Sequence, residues 1–242
     1  MANQFKRTKL LIKEEGMNKL EKARILVFGI GGVGGYVVEA LARSGVGHFT
    51  LIDNDVVSES NINRQIIATY DTIGQPKVEV MKNRILSINP SASVETRQCF
   101  YLPENASEFN FNEYDYVVDC VDTVTAKVSI VVEAKRCNVP IISAMGAGNK
   151  MHPEMLMVSD ISKTEVDPLA KVMRTSLRKL GINHLKVVYS KEPPIYIDPN
   201  DEDIEIKDKS GRPAPGSNAF VPSVMGLIMA SEIIRDLIGY TK

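Results

Sequence analysis

The sequence predicts an α/β fold, a Rossmann-like, doubly wound and mostly parallel sheet with helices on both faces. Between residues 25 and 144, short apolar runs typical of buried strands alternate with longer stretches typical of helices. The first apolar run leads into a glycine-rich turn at 29–35 and then into a helix-forming stretch. Because parallel strands need a crossover connection, this order indicates repeated strand–helix units on one sheet.

The elements of the first two-thirds follow from local patterns. Residues 1–22 mix basic and apolar residues at helical spacing, which predicts an N-terminal arm of one or two short helices. Pro76 suits the first turn of a helix, and Asn89-Pro90 suits its end. The predicted strands are 25–30, 48–53, 93–98, 115–119 and 139–144, and the predicted helices are 34–44, 76–88 and 123–137.

The pattern changes after Gly148. The stretch 191–216 is rich in Pro, Asp, Glu and Lys, so we expect a mobile loop there. The elements predicted around that loop are strands at 151–158 and 185–189 and helices at 167–180 and 223–238.

The bulk composition limits the class of protein. The chain has 242 residues, of which 44% are hydrophobic and 24% charged, with a net charge of -1, which suits one domain with a large core. No apolar run approaches the roughly 20 residues needed to span a bilayer, so we expect no stable membrane insertion. The three cysteines form no Cys-x-x-Cys pair, which argues against a zinc clip and favours a reducing cytoplasm.

The glycine-rich turn has the spacing Gly-x-Gly-x-x-Gly at Gly29, Gly31 and Gly34, with a further glycine at Gly32. Such glycines let the backbone approach a phosphate, and the N–H groups of the following helix face the anion. The next strand ends about 20 residues on in Asp53, a position where a carboxylate holds a ribose hydroxyl. We therefore predict a nucleotide site at the carboxyl ends of the strands.

The residues after Asp53 favour a triphosphate over a nicotinamide. The run Asn61-Ile62-Asn63-Arg64-Gln65 concentrates amide and guanidinium groups, and Lys77 stands at a helix start. Arg and Lys make charge-assisted bonds to phosphate oxygens, Arg through a planar fork and Lys as a point charge. An NAD-dependent oxidoreductase remains an alternative, but it needs only the acid on the ribose.

Two carboxylates, Asp119 and Asp122, end the apolar strand at 115–119. Facing a triphosphate, one of them could hold Mg²⁺, which takes one or two carboxylates together with phosphate oxygens. Asp122 or Thr123 could instead cap the following helix. The two roles can coexist.

These motifs together resemble the adenylating domain of ubiquitin-activating-like enzymes, which include the adenylyltransferases of molybdopterin and thiamin biosynthesis. The resemblance rests on the glycine loop, Asp53-x-Asp55, Asn61-x-Asn63-Arg64-Gln65, Lys77 and Asp119-x-x-Asp122. Within this group the chain is most similar to the tRNA threonylcarbamoyladenosine dehydratases. That closer similarity rests on Phe5-x-Arg7-Thr8, the helix end 39–47, Ile88-Asn89-Pro90, Met145–Gly148, Asp167-Pro168-Leu169 and Phe220–Ser223.

The resemblance implies an activity and a domain plan. These enzymes use ATP and Mg²⁺ to adenylate a carboxylate, and in the dehydratases the carboxylate is the threonyl one of a modified tRNA adenosine. An internal nucleophile of that group then displaces AMP and closes a ring, with net loss of water. The chain would be one adenylating domain with a C-terminal extension: arm 1–22, nucleotide-binding core 23–148 and substrate-side region 149–242.

The resemblance also implies roles for single residues. Arg64 and Lys77 would bind the phosphates, and Asp122 would bind Mg²⁺ and act at the reacting centre. Arg7 matches an N-terminal arginine that reaches the γ-phosphate in the partner subunit, which implies a homodimer. The implied nucleotide-binding set is Gly29, Gly31, Gly32, Gly34, Asp53, Asp55, Asn61, Asn63 and Gln65.

A tRNA substrate predicts a basic surface. Residues 169–190, which include most of helix 167–180 and the strand after it, carry several cations and no acid, although a solvated helix face would show the same composition. The residues we expect to contact tRNA phosphates are Lys171, Arg174, Arg178, Lys179 and Lys186.

A second alternative within the superfamily is an adenylyltransferase for the C-terminus of a ubiquitin-like carrier protein. The lack of Cys-x-x-Cys pairs and the basic stretch weigh against it. Ser217 stands where some dehydratase relatives have a cysteine, and no cysteine follows Cys137. Any sulfur-relay partner therefore stays unidentified at this level.

Overall fold

The computed structural model describes residues 3–198 and 215–240, and it confirms the predicted α/β fold. Seven strands form one sheet with the order β3-β2-β1-β4-β5-β7-β6. Their bounds are β1 Arg24–Phe28, β2 His48–Ile52, β3 Ser93–Arg97, β4 Tyr116–Asp119, β5 Ile141–Ala144, β6 Leu156–Asp160 and β7 Lys186–Ser190. Neighbouring strands are parallel except for the β6–β7 pair, which is antiparallel.

Helices cover both faces of the sheet. Their bounds are α1 Lys6–Lys22, α2 Gly34–Ser44, α3 Lys77–Ile88, α4 Val124–Arg136, α5 Pro168–Lys179 and α6 Val221–Ile238. The buried side chains of α2, α3 and α6 belong to one apolar cluster, and those of α4 and α5 belong to a second cluster on the opposite face. No helix in the described ranges is long and apolar enough to cross a membrane.

The central strand β1 shows why its sequence is a continuous apolar run. Ile25 and Val27 point into the first cluster, whereas Leu26 and Phe28 point into the second. Since successive side chains of a strand alternate between faces, a strand covered by helices on both sides must be apolar at every position.

One strand predicted in the second part of the chain begins later than expected. The strand expected at 151–158 begins only at Leu156, because the Glu192 carboxylate accepts the N–H groups of Met151 and His152 and a short helical turn at Pro153–Met155 follows. Residues 191–198 contain no regular element, and residues 199–214 of the expected mobile loop lie outside the described residues.

The N-terminal arm forms one interrupted helix, and the last helix begins earlier than expected. The arm is continuous in α1 apart from Lys13, whose φ of 62° and ψ of −177° interrupt the helical geometry. The last helix starts at Val221 instead of residue 223, because the Asn218 side-chain oxygen accepts the N–H groups of Phe220 and Val221 and proline is tolerated in a first helical turn.

Helix α6 packs closely on the start of α2. A Cβ atom at Gly226 would overlap the backbone oxygen of Val33 and lie 2.9 Å from the Cβ of Tyr36. The close approach brings Pro222, in the first turn of α6, to the glycine-rich turn. The C-terminal helix therefore helps to form the site that the next section describes.

Candidate active site

A cavity of about 390 Å³ lies at the carboxyl ends of β1, β2 and β4. Ligands of open α/β sheets bind at such strand ends, where the strand order reverses. Most of the predicted site residues line this cavity: Gly29, Gly31, Gly32, Asp53, Asp55, Asn61, Arg64, Gln65, Lys77 and Asp122. Gly34, Asn63 and Arg7 do not line it.

Different structural constraints explain the glycines of the turn. Gly29 has a φ of +87°, and a Cβ there would lie 2.7 Å from the backbone oxygen of Cys120. A Cβ at Gly34 would overlap the backbone oxygen of Gly29. Gly34 therefore permits close packing of α2 under the turn, whereas Gly31 and Gly32 face the cavity at the N-terminus of that helix.

Asp53 connects the end of β2 to the glycine turn. One carboxylate oxygen accepts the N–H of Ile30 at 2.6 Å, and the other accepts the N–H of Asp55 at 2.9 Å. Burial raises the pKa of the Asp53 carboxyl, against the opposing effects of Lys77 and of these two N–H donors. The side chain is thus fixed at the cavity wall with lone pairs left for hydroxyl donors.

Lys77 brings a buried positive charge to the cavity. Its Nζ lies 3.0 Å from a carboxylate oxygen of Asp55, and its side chain is 6% exposed while that of Asp55 is 51% exposed. A buried ammonium needs a partner because desolvation is costly. Its only carboxylate partner in the described part of the chain is thus largely solvated, which leaves Lys77 able to attract a further anion.

Arg64 is a half-buried cation without a carboxylate partner among the described residues. Its Nη1 donates to the backbone oxygen of Ser60 and to Oδ1 of Asn63, both at 2.9 Å. Burial lowers the pKa of the guanidinium. An uncompensated cation that lines a cavity marks a place where an anionic ligand would be stabilised.

Gln65 and Asn61 contribute buried amides. Oε1 of Gln65 is buried and has no hydrogen-bond partner among residues 3–198 and 215–240. Oδ1 of Asn61 accepts the N–H of Ser58 at 3.2 Å. Buried polar atoms are nearly always hydrogen-bonded, so this unpartnered oxygen is an exception at the cavity wall.

The two carboxylates after β4 have separate roles. Asp119 is fully buried, with its carboxylate 2.9 Å from Nζ of Lys127 and hydrogen-bonded by the Ser143 hydroxyl. Lys127 also donates to the backbone oxygen of Val121 at 3.2 Å, which holds the loop after β4. Asp119 is therefore structural and unavailable to a metal ion, whereas Asp122 is exposed in the cavity.

Two walls of the cavity were not predicted. One consists of Cys99, Phe100 and Tyr101, which follow β3 at the same sheet edge as Asp53. Tyr101 packs edge-on to Phe28 with ring centroids 4.8 Å apart. The strand-end rule that found Asp53 applies equally to β3 and is the signal by which these residues could have been found.

The other unpredicted wall is formed by Ala147, Gly148, Pro215, Ser217 and Pro222. The chain segments that carry it are far apart in sequence, so no local pattern indicates that they meet.

A buried ion pair anchors this second wall. Asp167 accepts the N–H of Gly146 and caps α5 by accepting the N–H of Ala170, both at 3.0 Å. Its carboxylate also lies 3.2 Å from Nζ of Lys150, and both side chains are buried. The motifs at 145–148 and 167–169 thus belong to one structural unit.

The predicted tRNA residues fall into two groups. Arg174 donates to the backbone oxygen of Thr164 at 2.8 Å, and Lys186 forms ion pairs with Glu232 and Asp236. These two cations are occupied within the protein. The remaining three are exposed on α5 and have no carboxylate partner in the described ranges: Lys171, Arg178 and Lys179.

Arg7 lies on α1, exposed and away from the lining of its own cavity. Leu10 and Leu11, in the same part of the helix, are 72% and 81% exposed.

Comparison with known proteins identifies the family. The model of the ThiF family matches residues 5–242. The tRNA threonylcarbamoyladenosine dehydratase of Bacillus subtilis (strain 168) is 45% identical over an alignment of 246 residues, which covers 98% of this chain and 96% of that protein.

Solved structures give the same result. The crystal structures of E. coli tRNA N6-threonylcarbamoyladenosine dehydratase in complex with ATP and with AMP each superpose with a TM-score of 0.87. Their sequences are 33% and 32% identical to this chain, with 98% of this chain and 94% of each solved chain covered. This chain therefore belongs to the ThiF family and, within it, to the tRNA threonylcarbamoyladenosine dehydratases.

Proposed function

We infer that this chain is an ATP-dependent tRNA threonylcarbamoyladenosine dehydratase, which adenylates the threonyl carboxylate of the modified adenosine and closes it into a ring. The observation that carries this inference is the guanidinium of Arg64, which has no carboxylate partner in the described ranges and lines the same cavity as the buried ammonium of Lys77, Asp53 and the N-terminus of α2. Such a site suits a ribose with a chain of phosphates. The relatives described above are dehydratases of this kind.

In this proposal each wall binds one part of ATP. Asp53 accepts from the ribose hydroxyls, and the aromatic wall with Tyr101 packs against the base. Gly31 and Gly32 bring backbone N–H groups to the phosphates, and Arg64 and Lys77 neutralise them. Because attack by a carboxylate on a phosphate brings two anions together, these preorganised cations stabilise the charge that develops in the transition state.

Mg²⁺ fits beside Asp122. No cluster of three or more acidic, histidine or cysteine side chains is present in the described ranges, so an all-protein cage is not available there. Mg²⁺ commonly binds through one or two carboxylates plus substrate phosphates, and the exposed Asp122 supplies one such carboxylate at the cavity. The ion would supply positive charge to the phosphate oxygens.

The protein supplies no covalent nucleophile in this proposal. A carboxylate oxygen of the substrate forms a bond to the α-phosphorus and pyrophosphate leaves; a nucleophile of the same substrate group then bonds to the activated carbonyl carbon and AMP leaves. Holding one group in the right conformation is enough for the second step. Burial raises the pKa of both cavity thiols, Cys99 and Cys120, so neither is poised as a thiolate.

We propose that the enzyme is a homodimer in which Arg7 of one subunit reaches the γ-phosphate bound to the other. The exposed position of Arg7, outside its own cavity, supports this arrangement. The exposed Leu10 and Leu11 beside it offer apolar surface for a contact between subunits.

We also propose that the tRNA contacts the free cations of α5. Lys171, Arg178 and Lys179 are exposed and unpaired in the described ranges, so they can replace counterions along the tRNA backbone. Arg174 and Lys186 are left out of this surface because their donors are used within the protein.

The remaining proposals concern organisation and location. We treat residues 1–242 as a single adenylating domain, with arm, nucleotide-binding core and substrate-side region as expected from the sequence; all described strands join one sheet. A tRNA substrate and three free cysteines support a cytoplasmic location.

The test of this function measures AMP formation from ATP and Mg²⁺ with either tRNA bearing threonylcarbamoyladenosine or a ubiquitin-like carrier peptide. AMP should form only with the tRNA. Arg64→Ala and Asp122→Ala should each abolish AMP formation while the circular dichroism spectrum stays that of the wild type. Formation of AMP with the carrier peptide alone would instead favour an adenylyltransferase.

A further inference from the structure

Asn63 lies just outside the cavity, yet both ends of its side-chain amide are engaged. Oδ1 accepts a hydrogen bond from Nη1 of Arg64 at 2.9 Å, and Nδ2 donates to the backbone oxygen of Ser217 at 3.1 Å. Its two partners demand opposite roles, one donating and one accepting, so the orientation of the amide is fixed. Asn63 thus joins the phosphate wall of the cavity to the wall that contains Ser217.

The contacts of Arg64 show what its hydrogen bond to Asn63 holds in place. Its stem is close to Gly32 and Pro222, since a Cβ at Gly32 would lie 3.3 Å from Cγ of Arg64 and 3.4 Å from Cβ of Pro222. Nη1 is held by Asn63 and by the Ser60 backbone oxygen. A guanidinium has five N–H donors, so two are used in these bonds and three are left for an anion.

The segment around Ser217 is fixed from its other side as well. Nδ2 of Asn218 donates to the backbone oxygen of Lys150 at 2.7 Å, and the N–H of Gly216 donates to Oδ1 of Asn149 at 2.6 Å. Residues 216–218 therefore lie between two anchors, the 149–150 segment and Asn63. Removal of the Asn63 side chain would break the link between this segment and the Arg64 guanidinium.

We propose that Asn63 is a positioning residue that aims Arg64 at the outer phosphates of ATP and ties the substrate-side wall to it. The proposal rests on the proposed function, because it takes Arg64 as a phosphate ligand. Asn63 itself touches no nucleotide atom in this account, which differs from the direct binding role expected from the sequence. Its side chain is exposed, so its removal leaves no buried unpaired group.

The test compares ATP and AMP binding by calorimetry, with a non-hydrolysable ATP analogue. Asn63→Ala should weaken binding of the analogue about 5- to 10-fold, the effect of losing one typical, solvent-exposed hydrogen bond. AMP, which lacks the outer phosphates, should bind as it does to the wild type. Asn63→Asp should weaken analogue binding further, because its carboxylate neutralises Arg64 and cannot donate to the Ser217 oxygen.

Two further variants, a control and a double variant, make the result decisive. Asn112→Ala removes another exposed asparagine and should bind both ligands normally. Adding Asn63→Ala to Arg64→Ala should cause no further loss, since Asn63 acts through Arg64. Wild-type analogue binding by Asn63→Ala, an equal loss for AMP, or additive losses in the double variant would overturn the proposal.

The single variant Arg64→Ala distinguishes a failure of the Asn63 role from a failure of the phosphate-binding role of Arg64. If Arg64→Ala loses analogue affinity while Asn63→Ala does not, only the role of Asn63 is wrong. If Arg64→Ala binds the analogue as tightly as the wild type, the phosphate role of Arg64 fails, and the role of Asn63 fails with it.

Discussion

Nζ of Lys127 lies 2.9 Å from a carboxylate oxygen of Asp119, and neither side chain is exposed to solvent. The pair stands directly beneath the nucleotide cavity, because Asp119 ends β4 and Lys127 holds the backbone oxygen of Val121 in the loop that leads to Asp122. Asp119, which the sequence offers as a possible Mg²⁺ ligand, is thus paired with Lys127 and supports the loop that bears Asp122.

Lys127→Met should lower the free energy of unfolding by about 3–5 kcal/mol, because it leaves the buried Asp119 carboxylate without its partner. Urea unfolding followed by circular dichroism measures the change. Lys171→Met, at an exposed position, should stay within about 0.5 kcal/mol of the wild type. Combining Lys127→Met with Asp119→Asn should recover part of the loss; a Lys127→Met variant as stable as the wild type would refute the structural role of the pair.

Asp53 should give nucleotide binding a dependence on pH. Burial raises the pKa of its carboxyl above the ordinary value of 3.8, and the ionised form is the better acceptor for ribose hydroxyls. AMP affinity should therefore fall as the pH is lowered through the raised pKa. The amide side chain of the Asp53→Asn variant does not titrate, so this variant should lack the part of the pH dependence that comes from the Asp53 carboxyl. The AMP phosphate titrates in the same way with both proteins. Superimposable pH profiles would contradict the ribose role.

The same raised pKa has the opposite consequence for stability. The folded state holds the Asp53 proton more tightly than the unfolded chain, so the carboxyl favours folding below pH 3.8. That contribution is lost as the pH rises through the folded-state pKa. As the pH rises over this interval, the unfolding free energy of the wild type should therefore fall relative to that of Asp53→Asn.

Mixing two inactive variants tests the shared site. In a heterodimer of Arg7→Ala and Arg64→Ala subunits, the Arg7→Ala subunit keeps its own Arg64 and receives the partner's intact arginine. Random exchange in a two-fold dimer should restore about one-quarter of wild-type activity. Each variant alone should be inactive, and a mixture that stays inactive after verified subunit exchange would rule out contribution of Arg7 across the interface.

Charge reversal on α5 tests the tRNA surface. Lys171→Glu, Arg178→Glu and Lys179→Glu together should weaken tRNA binding and flatten its dependence on salt, since fewer counterions are released. Nitrocellulose filter binding at several salt concentrations measures both effects. Lys22→Glu, an exposed change on α1, is the matched control. Equal salt slopes for the triple variant and the wild type would remove α5 from the interface.

Most of the predicted residues that line the cavity come from short local patterns in the sequence. The glycine spacing, Asp53 and the 61–65 run are local patterns whose chemistry can be read without knowing the fold, and the cavity contains most of them. The packing role of Gly34 differs from the expected ligand role, because it depends on the approach of α2 to the Gly29 backbone.

Contacts between residues that are far apart in the chain could not be predicted from the sequence. Asp119 and Asp122 are equivalent as carboxylates in the sequence, and only the burial of Lys127 against Asp119 separates them. From the sequence, Lys186 is expected to be a surface cation, but in the structure α6 places Asp236 next to it and the two form an ion pair. In each case the partner lies on another element, so the role of the residue depends on tertiary packing.

We infer that this chain converts threonylcarbamoyladenosine in tRNA to its ring-closed form at the expense of ATP. Mass spectrometry of nucleosides from tRNA treated with enzyme, ATP and Mg²⁺ tests it most directly. The account predicts that the modified nucleoside loses the mass of one water, in step with AMP formed, and that Arg64→Ala prevents this loss. An unchanged nucleoside after treatment with the wild-type enzyme would contradict the account.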